Sequence, residues 1–217
     1  MTLVALSGAY GAGGSRIGPT LAERLHVPFL DRPIPAAVAE ELSVAFDDAE
    51  AHDEQISASW LEWLLTGFIG QDIAAPAGTM SAATSAADFH RATEDVLLRQ
   101  AATGRGVILG RAAAIVLRDD PRALRVRLTG PAERRVHQAM RLEAIDQTTA
   151  QPRQRQLDHT HATYAKHFYG VNIDDPSLYH VVVDSTTIAI HTCIDMLVTA
   201  ARSIAAVADY HEEGRTT

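Results

Sequence analysis

The sequence predicts an α/β fold: a five-stranded parallel sheet with helices on both faces. Three observations predict it. Short apolar runs recur along the 217 residues, and each is followed by a segment with helical spacing of its apolar positions. Parallel neighbours joined in this way need crossover connections, which run right-handed. Glycine or polar residues then stand at the carboxyl end of each run, where open sheets of this class bind ligands.

Leu3 to Ser7 is the first run, a strand buried on both faces, and it ends in glycines. Arg16 to His26 follows as an amphipathic helix, with Ile17, Leu21, Ala22 and Leu25 on one side. Pro28 to Asp31 is a very short second strand. The stretch from Arg32 to about Thr103 reads as mostly helical, interrupted near Asp47 to Asp53, and Asp72 to Ala87 has the Ala, Ser, Thr and Gly content of a mobile loop. After Gly104-Arg105-Gly106 comes Val107-Ile108-Leu109, and after Asp119-Asp120-Pro121 comes Leu124 to Leu128, each an interior strand leading into a helix. Tyr179 to Asp184 repeats the pattern. Thr186 to Ala208 closes the chain as a long helix with Ile190, Ile194, Leu197, Ala201 and Ile204 along one stripe, and the tail 211–217 is expected to fray.

Composition narrows the function. With 47% hydrophobic and 21% charged residues, the chain has the make-up of a globular domain. A formal net charge of -8 argues against a general affinity for nucleic acid polymers or anionic lipid. The single cysteine, Cys193, has no internal partner and reads as a buried thiol in a reducing compartment. The N-terminus lacks a signal-peptide pattern, and no apolar run approaches the roughly 20 residues of a membrane span. The expectation is a cytoplasmic protein, monomeric or homodimeric, without a membrane partner.

The most informative stretch is SGAYGAGGSRIG. Gly8, Gly11, Ala12, Gly13, Gly14 and Ser15 have the spacing of a phosphate-binding loop between a strand and a helix, with Gly14 at the position where such loops carry lysine. Glycines let successive N–H groups turn inward, the helix adds its positive end, and Ser15 offers a hydroxyl to a magnesium ion. A plain glycine turn is the alternative. Arg16 is adjacent, but one helical step rotates a side chain by about 100°, so it serves either the phosphates or the solvated helix face.

Other candidates stand on the same strand edge. Arg111 follows the Val107 run and is placed for bidentate contact with a phosphate, or else starts a helix in solvent. Asp31 can orient magnesium-bound water or accept a proton, or cap the helix after Pro33. Ser185 follows the last strand. Gln151 to Asp158 lies between helical stretches and offers Arg153 and Arg155 as mobile cations that close over phosphates. His159, His161 and His167 diverge too far on a helix to form a ligand pair and read as solvated. Tyr164, Phe168 and Tyr169 are at core-like spacing.

Three blocks, SGAYGAGGSRIGPTLAERLHVPFLDR, GRGVILGRAAAIVLRDDPRALRVRLTGPAERRV and LDHTHATYAKHFYGVNIDDPSLYHVVVDST, resemble in order and spacing the cytidylate kinase-like family of P-loop proteins. The resemblance implies a three-layer P-loop NTPase-type fold as one domain over 1–210. Within it, about 32–103 would be a helical acceptor-binding insertion and about 147–160 a lid-like segment. It implies ATP with Mg2+ at Gly8 to Ser15 and a pyrimidine monophosphate, CMP or dCMP, as acceptor held by Arg111; taken with the residues themselves, the expected catalytic groups are Asp31, Arg153, Arg155 and Asp158, and Ser185 joins the ATP site. Three positions depart from that pattern: Gly14 replaces the loop lysine, Ala112 an aspartate, and His161 a lid arginine. An ATP-dependent nucleoside monophosphate kinase is thus the first expectation. A nucleotide-binding module without phosphoryl transfer, and a P-loop kinase for a non-nucleotide acceptor, are the alternatives.

Overall fold

The computed structural model describes residues 1–31, 94, 97–110 and 112–213. Most of the helical stretch and loop expected between 32 and 103, Arg111, expected to hold an acceptor, and the last four residues lie outside the described residues. By its internal contacts the chain divides into two units, Met1–Arg32 with Val96–Thr217 and Pro33–Asp95, and the sheet belongs to the first.

Five strands, β1 (Thr2–Gly8), β2 (Phe29–Asp31), β3 (Arg105–Leu109), β4 (Ala123–Thr129) and β5 (Val181–Asp184), pair in the order β2-β3-β1-β4-β5. Every pairing is parallel. The register sets Asp31 opposite Leu109, Leu109 opposite Leu6, and Gly8 opposite Leu128. The carboxyl ends of the strands therefore lie together, with β1 at the centre.

Helices α1 (Gly14–Leu25) and α5 (Ile190–Glu213) cover one face. Val4, Leu6, Val107, Leu124, Val126 and Leu128 meet Ile17, Leu21, Cys193, Leu197 and Ala201 there in one buried cluster. By length and composition the stretch Ile190–Val207 is apolar enough to cross a bilayer, contrary to the expectation that no run approaches that length. Its stripe Cys193, Ile194, Leu197, Val198 and Ala201 packs into this core. Burial holds the Cys193 thiol above its ordinary pKa. α5 runs to Glu213, three residues into the tail expected to fray.

The other face carries α2 (Ala113–Val116) and α4 (Gln147–Tyr169), with α3 (Ala132–Glu143) antiparallel to α4 across a short connection. Ile115, Ala165 and Ile173 form a smaller cluster on this side. Here the structure corrects the sequence reading: 151–158 is not a connection between helices but part of continuous α4. Pro152 lacks an N–H and cannot complete a helical hydrogen bond. It lies only one turn past the helix start, is exposed, and removes a single bond, while Asp146 caps the helix by accepting the Thr149 N–H at 2.8 Å.

Continuity of α4 also corrects His161, expected in solvent and in fact 3% exposed. Ala150, Gln154, Leu157, His161, Tyr164 and Ala165 recur at three- and four-residue spacing, so His161 belongs to the helix's inward stripe. Tyr164 packs against Phe168, with ring centroids 4.8 Å apart.

Candidate functional site

β1 ends at Gly8, and the chain turns through Ala9 to Gly13 before α1 begins at Gly14. Two of its residues need to be glycine. Gly11 has φ 74°, and a Cβ there would stand 2.1 Å from the Arg135 carbonyl oxygen. Gly13, the N-cap of α1, has φ 75° and meets Gln138 Nε2 at 3.1 Å from the same hypothetical atom.

The loop is tied from α3, β4, α4 and the segment after β5, through two carbonyls and two N–H groups. Arg135 Nη1 on α3 donates to the Tyr10 carbonyl at 2.8 Å, and the Ser185 hydroxyl after β5 donates to the Ala12 carbonyl at 2.7 Å. The Tyr10 N–H donates to Asp158 Oδ1 on α4 at 3.3 Å, and the Ala9 N–H to the Leu128 carbonyl at 3.0 Å. What remains is a set of donors. Among the described residues, the N–H groups of Gly11, Gly13, Gly14 and Ser15 have no hydrogen-bond acceptor. A left-handed residue followed by the first turn of a helix turns such groups the same way and makes an anion-binding concavity.

Ser15 and Arg16 are exposed at the start of α1. Gly14, at the lysine position, faces the end of β3: a Cβ there would lie 3.2 Å from Leu109 Cδ1. Asp31 is exposed at the carboxyl end of β2, two strands from β1. Asp184, at the end of β5, accepts from the Thr186 N–H at 3.0 Å and the Thr187 hydroxyl at 2.9 Å, and lies 3.4 Å from Arg134. Hydrogen bonds from Thr186 above all hold its carboxyl below the usual carboxylate range.

Of the other residues singled out in the sequence, Ser185 and Asp158 touch the loop, but as braces on its backbone. Ser185 is 1% exposed with its hydroxyl engaged. Asp158 accepts from Arg135 at 3.1 and 2.6 Å, from Gln154 at 2.5 Å and from Tyr10, which occupies the four sites of a carboxylate. Arg153 is half-buried on α4 and lies 3.4 Å from Glu143, which also accepts from the Tyr10 hydroxyl at 2.9 Å. Burial, then the Glu143 hydrogen bond, pushes the Tyr10 phenol above its ordinary pKa. Arg155 is exposed one helical step from Gln154.

Arg135 was missed in the sequence. It is 7% exposed, donates also to the Gly130 carbonyl at 2.9 Å, and joins the loop, α3 and α4 through one guanidinium. Nothing in the local pattern separates it from its exposed neighbour Arg134, because Tyr10 and Asp158, two of its three partners, come from other parts of the chain.

A glycine loop between the central strand and α1, in a parallel sheet ordered β2-β3-β1-β4-β5, defines an α/β protein of the P-loop type. Residues 3–187 match the model of the cytidylate kinase-like family, and the chain belongs to that family. Family membership supports phosphoryl transfer as its class of chemistry. No curated protein matches the chain. Among solved structures, an uncharacterized protein from Eubacterium ventriosum is similar at 17% identity and a TM-score of 0.63, over 94% of this chain and 99% of that one. A gluconokinase from Sinorhizobium meliloti is similar at 13% identity and a TM-score of 0.49, over 97% of each chain. A shikimate kinase from Acinetobacter baumannii is similar at 15% identity and a TM-score of 0.46, over 94% of each.

Proposed function

We propose that the chain is an ATP- and magnesium-dependent phosphotransferase of nucleoside monophosphate kinase type, with CMP or dCMP as acceptor. The observation that carries this reading is the loop whose carbonyls are tied back and whose N–H groups at Gly11, Gly13, Gly14 and Ser15 are open. These donors and the exposed Ser15 hydroxyl fit a polyphosphate with its magnesium ion. ATP would supply the transferred phosphoryl group. The loop's task is to hold the donor phosphates in line and meet their charge with backbone dipoles, since positioning and charge stabilisation dominate this chemistry. Ser15 would face the metal ion, Asp31 would orient its water, and Arg111 would hold the acceptor monophosphate. Arg153 would need to exchange Glu143 for phosphate.

A second reading, a nucleotide-binding module without transfer, is favoured by Gly14, which leaves the loop without its usual lysine. A P-loop kinase for a small hydroxyl-bearing acceptor is the third. Purified protein is incubated with Mg-ATP and, in turn, each nucleoside monophosphate and a panel of small hydroxyl acceptors. Under the proposed function CMP or dCMP gives the fastest ADP release. ATP binding at 100 times its Kd, which stabilises the fold by about 2.7 kcal/mol, combined with no turnover on any acceptor, would replace the kinase by the module.

A further inference from the structure

β4 contains Leu124-Arg125-Val126-Arg127-Leu128, and alternation sends its apolar residues into the main core and Arg127 to the opposite face. There Arg127 is 5% exposed. It donates to the Ser7 hydroxyl at 2.9 Å and to Asp174 Oδ1 at 2.7 Å. Its Nε–H is buried and has no acceptor among the described residues. A buried guanidinium with an idle donor is costly unless something else accepts from it.

Arg127 lines a cavity of about 220 Å3, bounded also by Thr129, Arg135, His161, Ile173 and Tyr179. At ~30 Å3 each, that volume holds about seven waters, more than one idle N–H requires. The two carboxylates on its wall differ in what they have left to offer. Asp158 is saturated by Arg135, Gln154 and Tyr10. Asp174, by contrast, is 67% exposed and reaches Arg127 from the segment after α4 with one oxygen. With Asp174 turned out to solvent, the capacity left is mainly donor: the Arg127 Nε–H and the Nη2 group that Asp174 releases, and the Thr129 hydroxyl, beside apolar Ala9, Ile173 and Val182.

We propose that this cavity binds a small oxyanion, a single carboxylate or phosphate group, with Arg127 as its cation and Asp174 as the internal group it displaces. Two acceptor oxygens on one centre match the guanidinium edge in a way that a neutral ligand does not. Asp174 has solvent to swing into when the anion arrives. The inference does not rest on the kinase reading, because none of Gly11, Gly13, Gly14 and Ser15 lines the cavity.

The test is calorimetric titration of the full chain with inorganic phosphate and, separately, with propionate. It is run on the wild type, Asp174→Asn and Arg127→Met at about 0.15 M salt, where distant charges are screened. Asp174→Asn removes the competing charge and is expected to tighten binding about tenfold, the scale of one charge-assisted hydrogen bond; Arg127→Met abolishes it. Phosphate alone, propionate alone or both anions showing this pattern identifies the group the site accepts. Equal affinity in wild type and Asp174→Asn, or binding of neither anion to Asp174→Asn, overturns the proposal. Should Arg127→Met fail to fold, as judged by circular dichroism, the exposed Asp174 variant decides alone. Mg-ATP titrated into the same proteins keeps the two sites apart. Failure of the loop reading appears as no Mg-ATP binding with the Asp174→Asn gain intact, and failure of the cavity as the converse.

Discussion

Gly11 and Gly14 belong to one loop, yet different physics holds each. At Gly11 a side chain would meet the backbone of α3 at 2.1 Å and the residue has a left-handed φ of 74°. At Gly14 a Cβ meets only the movable end of Leu109, at 3.2 Å. Gly11→Ala is accordingly expected to lose about 2 kcal/mol or more in urea unfolding, the scale of a strained backbone residue, whereas Gly14→Ala stays within about 1 kcal/mol of wild type. Equal losses would mean that the loop is not seated against Arg135 as described. At this scale the sequence was most legible where spacing alone sets geometry, as in the glycines. It was least legible for Arg135, Arg127 and Tyr10, whose roles depend on partners more than a hundred residues away or on another helix. The alternation Leu-Arg-Val-Arg-Leu in β4 was the available sign that one sheet face is polar.

The loop keeps its shape because elements far apart in sequence meet at it. Arg135 on α3 and Asp158 on α4 are the joint, with side chains 8% and 28% exposed. Breaking a buried pair by removing one partner leaves the other charge uncompensated, at about 3–5 kcal/mol. Arg135→Met should destabilise by that order, discounted for the partial exposure of Asp158. The double variant Arg135→Met with Asp158→Leu should lose less than the sum of the two single changes. Strict additivity in urea titrations would show that the pair does not act as a unit. Element boundaries show why pattern reading stopped short here. The sequence places 151–158 between helical stretches, but the Asp146 cap and the inward stripe from Ala150 to Ala165 carry α4 through it. The two cations expected to be mobile therefore sit on a helix, and Arg153 is beside Glu143.

The parallel sheet brings the glycine loop, Asp31 and Ser185 to the carboxyl ends of its strands, and its strand order is the part that periodicity could not give. Alternating strands and helices identify a doubly covered sheet, while the choice of β1 as the central strand depends on packing among all the crossovers. One seam of that sheet titrates. The Arg125 N–H donates to His180 Nδ1 at 3.1 Å where β5 begins, so that nitrogen must be bare. Partial burial, then the Arg125 charge, holds His180 below its usual value near 6.5. With the folded pKa below the unfolded one, this contribution is complete above about pH 6.5 and is lost as the pH falls through it. Between about pH 7.5 and 5.5, urea titrations should show a larger loss of stability for wild type than for His180→Gln; an identical slope would remove His180 from the account. The central claim is that Gly11, Gly13, Gly14 and Ser15 form a backbone cradle for phosphate. Amide NMR of the 15N-labelled protein during a Mg-ATP titration tests it directly. These four N–H resonances are expected to shift furthest, while those of Gly104 and Gly170, left-handed glycines away from the loop, stay in place. Saturable ATP binding that leaves the four amides unmoved would contradict it.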